Sequence, residues 1–135
     1  MVKPERRTKG DMVAAAAIAA VVVIVAALIW WTSDARATIS QPAATPAPAL
    51  TPAKAVPTSL RQLWTAPSPK TTTPLVVGGN VITGDGREVD GRDPANGNTR
   101  WTYARDVELC GVTYVYNYAV AVYPDVRGCG QVSTI

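Results

Sequence analysis

The amino-acid sequence predicts three unlike segments: a single N-terminal transmembrane helix, a disordered Pro/Ala-rich linker, and an all-β antiparallel meander. Three observations predict this. Met12 to Trp31 is an unbroken apolar run of 20 residues. Eight of the 11 prolines then fall between Thr32 and Pro74. From Leu75 onward, short β-prone runs alternate with Gly, Asn and Asp punctuation. A chain of 135 residues holds one domain at most.

Residues 1–11 form a basic tail, with Lys3, Arg6, Arg7 and Lys9 against Glu5 and Asp11. The run 12–31 follows. As a helix rising about 1.5 Å per residue, a run of that length covers about 30 Å, the thickness of a bilayer's hydrocarbon core. A helix pairs its backbone polar groups internally, which hydrocarbon demands. Trp30 and Trp31 sit at its C-terminal edge, where indole rings favour the headgroup boundary. Basic residues crowd the N-terminal flank, and only Arg36 lies close behind the span. This asymmetry predicts a cytoplasmic N-terminus and an extracytoplasmic C-terminus. Ala35-Arg36-Ala37 fits a signal-peptidase pattern, so cleavage is the rival expectation. The apolar run is longer than a usual signal core and favours a retained anchor. Either way residues 38–135 are exported.

Residues 32–74 read as a spacer. Proline removes backbone donors and fixes φ, so helix and sheet fail to propagate. Such a stretch buries too little apolar surface to offset chain entropy. One island, with Leu60, Leu63 and Trp64, is apolar enough to dock and marks a candidate docking strand at 60–66.

Residues 75–135 carry the β region. Strands are expected at Leu75–Val77, Val81–Thr83, Glu88–Arg92 and Asn98–Ala104. Gly78-Gly79-Asn80, Gly84-Asp85-Gly86 and Asn96-Gly97 supply the positive φ of tight turns. Trp64-Thr65-Ala66 is echoed by Trp101-Thr102-Tyr103, 37 residues later, and an apolar run starts eleven residues after each tryptophan. A period near 40 residues with four strands per unit suggests propeller blades, here about one and a half of them.

The segment Gly91-Arg-Asp93-Pro-Ala-Asn-Gly97-Asn-Thr-Arg-Trp101 resembles the blade motif of the pyrroloquinoline-quinone-type (quinoprotein-like) propellers. Asp93, Gly97 and Trp101 fall on its three fixed positions, and Gly91 stands where the motif has Ala. The resemblance implies that Asp93 caps a turn, Gly97 adopts φ > 0 and Trp101 packs between blades. It also implies that Trp64 belongs to a strand that closes a ring. The family's cofactor does not carry over. Quinone-binding members draw contacts from many blades, hold calcium and often have adjacent cysteines, whereas the cysteines here are separated. No cofactor is therefore expected. One blade and part of another do not close a ring, so the chain reads as an N-terminal piece of something longer.

Function is bounded mainly by what is missing. The chain has no histidine and two cysteines. Ser–His and Cys–His nucleophile pairs are excluded, and a zinc site lacks ligands. Residues 75–135 hold five arginines against seven acidic residues, so the basic balance of the whole chain lies in tail and linker. That argues against a nucleic-acid partner. Cys110 and Cys129, 19 apart in the exported part, are expected to form a disulfide. Asp85, Glu88, Asp90 and Asp93 cluster between glycines but lack a calcium-loop spacing, and read as turn caps. Tyr103, Tyr114, Tyr116, Tyr118 and Tyr123 read as packing residues. The expectation is a single-pass membrane protein that binds or scaffolds at a bacterial-like envelope, partnered by envelope proteins or cell-wall components and without a catalytic site. The alternatives are the N-terminal piece of an exported quinoprotein-like oxidoreductase, a sensor ectodomain, and a truncated fragment without independent function.

Overall fold

The structure is a computed structural model and describes residues 8–135; the basic residues expected in the tail before Thr8 lie outside the described residues. The chain divides into two compact units, Met1–Ala37 and Thr38–Ile135.

In the first unit, helix α1 runs Lys9–Trp31, starting three residues before the apolar run. A capping box explains the earlier start. The Thr8 hydroxyl accepts from the Asp11 backbone N–H at 3.3 Å, and the Asp11 carboxylate accepts from the Thr8 N–H at 2.9 Å. At the other end Thr32 Oγ1 donates to the Leu28 carbonyl at 2.9 Å, satisfying one orphan acceptor. A short 3₁₀ turn, Asp34–Arg36, follows, and the Arg36 guanidinium lies 5.1 Å from the Trp31 ring centroid. None of α1 is buried. It is apolar on every side, and is long and apolar enough to cross a membrane.

The second unit is all-β and antiparallel. Strands β1 (Thr38–Gln41), β2 (Leu75–Val77), β3 (Asn80–Asp85), β4 (Glu88–Arg92) and β5 (Thr99–Arg105) form one sheet in the order β1-β5-β4-β3-β2. Strands β6 (Gly111–Val115), β7 (Tyr118–Asp125) and β8 (Gly128–Thr134) form a second. The strands expected between Leu75 and Ala104 coincide with β2–β5 to within two residues at each end. Gly78 and Gly79, both at positive φ (53° and 79°), turn β2 into β3.

Two features differ from the sequence reading. The linker contributes β1, which pairs Thr38 with Arg105 and Gln41 with Thr102 along the outer edge of β5. Proline is what keeps the linker from propagating regular structure, and the first linker proline is Pro42. Thr38-Ile39-Ser40-Gln41 is proline-free and begins with β-branched residues, so nothing stops it extending. The linker also stays on the sheet beyond β1. Arg100 Nη2 donates to the carbonyls of Thr45 (2.8 Å) and Pro46 (2.6 Å). The second difference is at 60–66, which forms no strand. Trp64 nevertheless docks, as described below.

A short segment near the end of the linker joins the sheets. The Lys70 N–H donates to the Gly84 carbonyl (3.1 Å) in β3, and the Lys70 carbonyl accepts from the Val112 N–H (2.9 Å) in β6. The Gly84 N–H in turn donates to Ser68 Oγ at 3.0 Å. Close approach here needs a glycine: a Cβ on Gly84 would lie 2.7 Å from Val112 Cγ2 and 3.0 Å from Leu109 Cδ2. The shared core draws on both sheets, with Leu75, Val77, Ile82 and Val89 meeting Leu109, Val112, Ala119, Ala121 and Tyr123. Trp101, Tyr103, Val107 and Ile135 pack around its rim.

Candidate functional site: a cleft beside Trp101

The turn from β4 to β5 is built from its own side chains. Asp93 Oδ1 accepts from the Ala95 N–H at 2.8 Å, and Asn96 Oδ1 accepts from the Asn98 N–H at 2.9 Å, both short Asx turns. The Gly97 N–H closes the turn on the Asp93 carbonyl at 2.8 Å, with Gly97 at φ 76°. Trp64 covers this turn. Its indole N–H donates to the Pro94 carbonyl at 2.9 Å, and its ring occupies the space beside Gly97, where a Cβ would come within 2.7 Å. The structure therefore brings Asp93, Gly97 and Trp64 into one cluster. Trp101 lies apart from it, across Gly91, its cross-strand partner. A methyl at Gly91 would overlap the indole, so this close approach needs a glycine.

The two cysteines form a disulfide, Cys110–Cys129, with their Cα atoms 6.0 Å apart. It ties the entry of β6 to the start of β8, and the Cys110 N–H donates to the Val122 carbonyl in β7 at 2.8 Å. Two of the carboxylates singled out in the sequence, Asp90 and Asp93, are engaged locally. Asp90 pairs with Arg92 at 2.6 Å and accepts from Thr102 Oγ1 at 2.7 Å, while Asp93 lies 3.5 Å from Arg100. Among the described residues, no three His, Cys, Asp or Glu side chains converge as a metal-ligand set. Glu108 is held below its ordinary pKa by a 2.8 Å hydrogen bond from Lys70 and by that group's charge.

The tyrosines divide by place. Tyr123 is fully buried, donates its hydroxyl to the Arg87 carbonyl at 3.2 Å, and packs 6.3 Å from the Tyr103 ring. Burial pushes its hydroxyl pKa up to about 12, with Tyr103 adding to the shift and Arg105 opposing it. Tyr114, Tyr116 and Tyr118 stand exposed at the tip of the β6–β7 hairpin.

Sequence reasoning missed one feature, a cleft of about 310 Å³ beside Trp101. Its walls come from Ser40 and Gln41 of β1, Asn80 and Thr102 of the first sheet, and Asn117 and Ala119 of the β6–β7 hairpin. No lining side chain is ionisable. Asn80 is 7 % exposed, and its Nδ2 donates to the Gly78 carbonyl at 3.1 Å. Its Oδ1 is buried without a hydrogen-bond partner. Turning the amide over would set oxygen against oxygen at Gly78, so the orphan acceptor stays. Leaving such a group unmatched costs about 1–3 kcal/mol. The only advance signal was Asn80 itself, a polar residue opening an apolar strand.

Comparison of the chain with protein-family models, with curated proteins and with solved structures finds no match. The class of protein therefore rests on the fold: an all-β, disulfide-tied unit in a chain that also carries the apolar helix Lys9–Trp31.

Proposed function

We propose that this chain is a single-pass envelope protein, anchored by α1 with its N-terminus in the cytoplasm, whose extracytoplasmic β unit is a binding or scaffolding module. The observation that carries the reading is α1 itself. Twenty consecutive apolar residues with no buried face have no stable place in water, because burying apolar surface is the main gain of folding. Basic residues before the helix support the orientation. The disulfide supports an oxidising compartment beyond the membrane. The Asp93/Gly97/Trp101 resemblance, the four-strand meander β2–β5 and the three-strand meander β6–β8 support a propeller-like reading of the unit. The cleft, lacking a nucleophile–base pair, supports binding over catalysis.

Alkaline phosphatase fused after Ile135 tests the orientation, since the enzyme is active only when exported. An active fusion supports the reading. An inactive fusion, together with a fluorescent cytoplasmic reporter at the same site, overturns it.

A further inference from the structure

The linker carries hydroxyl side chains of two kinds. Residues 42–70 hold no helix or strand. Where this stretch meets the sheets, its hydroxyls are engaged. Ser68 Oγ lies 2.7 Å from Thr71 Oγ1 and accepts from the Gly84 N–H at 3.0 Å, and Thr45 Oγ1 accepts from Arg100 Nη2 at 3.2 Å. Thr51 and Thr58 stand exposed in the part between. Proline sets the backbone at both. Pro52 holds Thr51 away from the helical region, and Pro57 fixes φ just before Thr58. Each threonine is thus displayed on an extended chain that an enzyme can grip without unfolding anything. Each also adjoins apolar side chains left in water: Leu50, 50 % exposed, beside Thr51, and Val56 and Leu60, 90 % and 88 % exposed, on either side of Thr58.

We propose that Thr51 and Thr58 are O-glycosylation sites, each taking a hexose from a lipid-phosphate-linked sugar outside the membrane. Threonine and serine interleaved with proline is the composition of glycosylated stalks. A bulky, solubilising sugar on these two hydroxyls would cover the apolar groups beside them. In the transfer, Thr Oγ attacks the anomeric carbon of the donor. The new C–O bond forms as the bond from that carbon to the phosphate oxygen breaks. The lipid phosphate leaves with the electron pair, and the hydroxyl proton passes to the transferase's base. Nothing is oxidised or reduced. Attachment through nitrogen has no acceptor, because the chain contains no Asn-x-Ser or Asn-x-Thr. Ser68 stays bare, since a sugar there would crowd the contacts that hold the segment to Gly84. The inference goes beyond the binding reading and rests on it only for export.

The test purifies the full chain from the membranes of the cells that make it. Trypsin cuts after Arg36, Lys54, Arg61 and Lys70, so Thr51, Thr58 and Ser68 fall in three separate peptides. Electron-transfer fragmentation is expected to place hexose increments on Thr51 and Thr58 and none on Ser68. Mild alkaline β-elimination should release them. The variant Thr51→Ala/Thr58→Ala should lose the increments without moving the thermal transition, because both side chains are exposed. The inference is overturned by bare masses for the Thr51 and Thr58 peptides, by phosphate in place of hexose, or by hexose on Ser68 alone. A bare linker on a chain whose phosphatase fusion is active overturns this inference and leaves the export reading standing.

Discussion

Trp101 lies across the backbone of Gly91, its partner on β4, and fills the volume a Cβ there would need. The indole thereby reaches the rim of the core and one wall of the cleft together. Gly91→Ala should overpack this contact and cost about 1–3 kcal/mol. For a unit of this size that lowers the melting temperature by about 4–24 °C, at about 4–8 °C per kcal/mol. Adding Trp101→Leu should make the Gly91→Ala change milder, because residues in contact are not additive. Thermal unfolding of the two single variants and the double variant checks this.

Trp64 makes two separable contributions, a hydrogen bond to the Pro94 carbonyl and a ring packed on Gly97. Trp64→Phe should lose mainly the bond, about 1 kcal/mol. Trp64→Ala should lose the packing as well, up to about 3 kcal/mol for a partly exposed ring. Chemical denaturation of both variants measures the difference.

The Cys110–Cys129 link closes a short loop around β7. Non-reducing and reducing mass spectra should differ by two protons per chain, and equal masses would mean free thiols. Replacing both cysteines by serine should cost about 3 kcal/mol in the chain-entropy account. Denaturation midpoints of the oxidised protein and the double serine variant check the size of the effect.

Tyr123 predicts an alkaline limit. Its hydroxyl is raised to about 12 in the folded chain against 10.0 ordinarily. Between these values the unfolded chain releases a proton that the folded chain keeps, so unfolding gains as pH rises. The contribution is complete below pH 10 and is lost toward pH 12, on the order of 1–3 kcal/mol. Tyr123→Phe should flatten that slope while costing about 1 kcal/mol at neutral pH for the lost bond to Arg87. Denaturant titrations across the alkaline range, with tyrosinate absorbance followed alongside, provide the check.

These relationships were unequally legible in the sequence. The helix was readable because twenty apolar residues in a row have few physical alternatives. Strands β2–β5 were readable because Gly78-Gly79, Gly86 and Gly97 mark every reversal, and turns are local events. The cysteine pairing was readable because only one pair is available. Strand β1 was not, since its partner lies more than 60 residues away and a short run such as Thr38–Gln41 carries no sign of which edge it will meet. The same holds for Lys70, whose backbone joins two sheets through groups that every residue possesses. The cleft was the least legible feature, because Ser40, Asn80, Thr102 and Asn117 meet only through tertiary packing.

The most direct test of the central claim, that the β unit stands beyond the membrane on a single helical anchor, is protease digestion of intact and lysed cells, read with an antibody to the C-terminal segment. The account predicts that protease added outside removes the C-terminal epitope from intact cells and leaves a membrane-embedded N-terminal fragment. Survival of the epitope in intact cells, with its loss only after lysis, would contradict it.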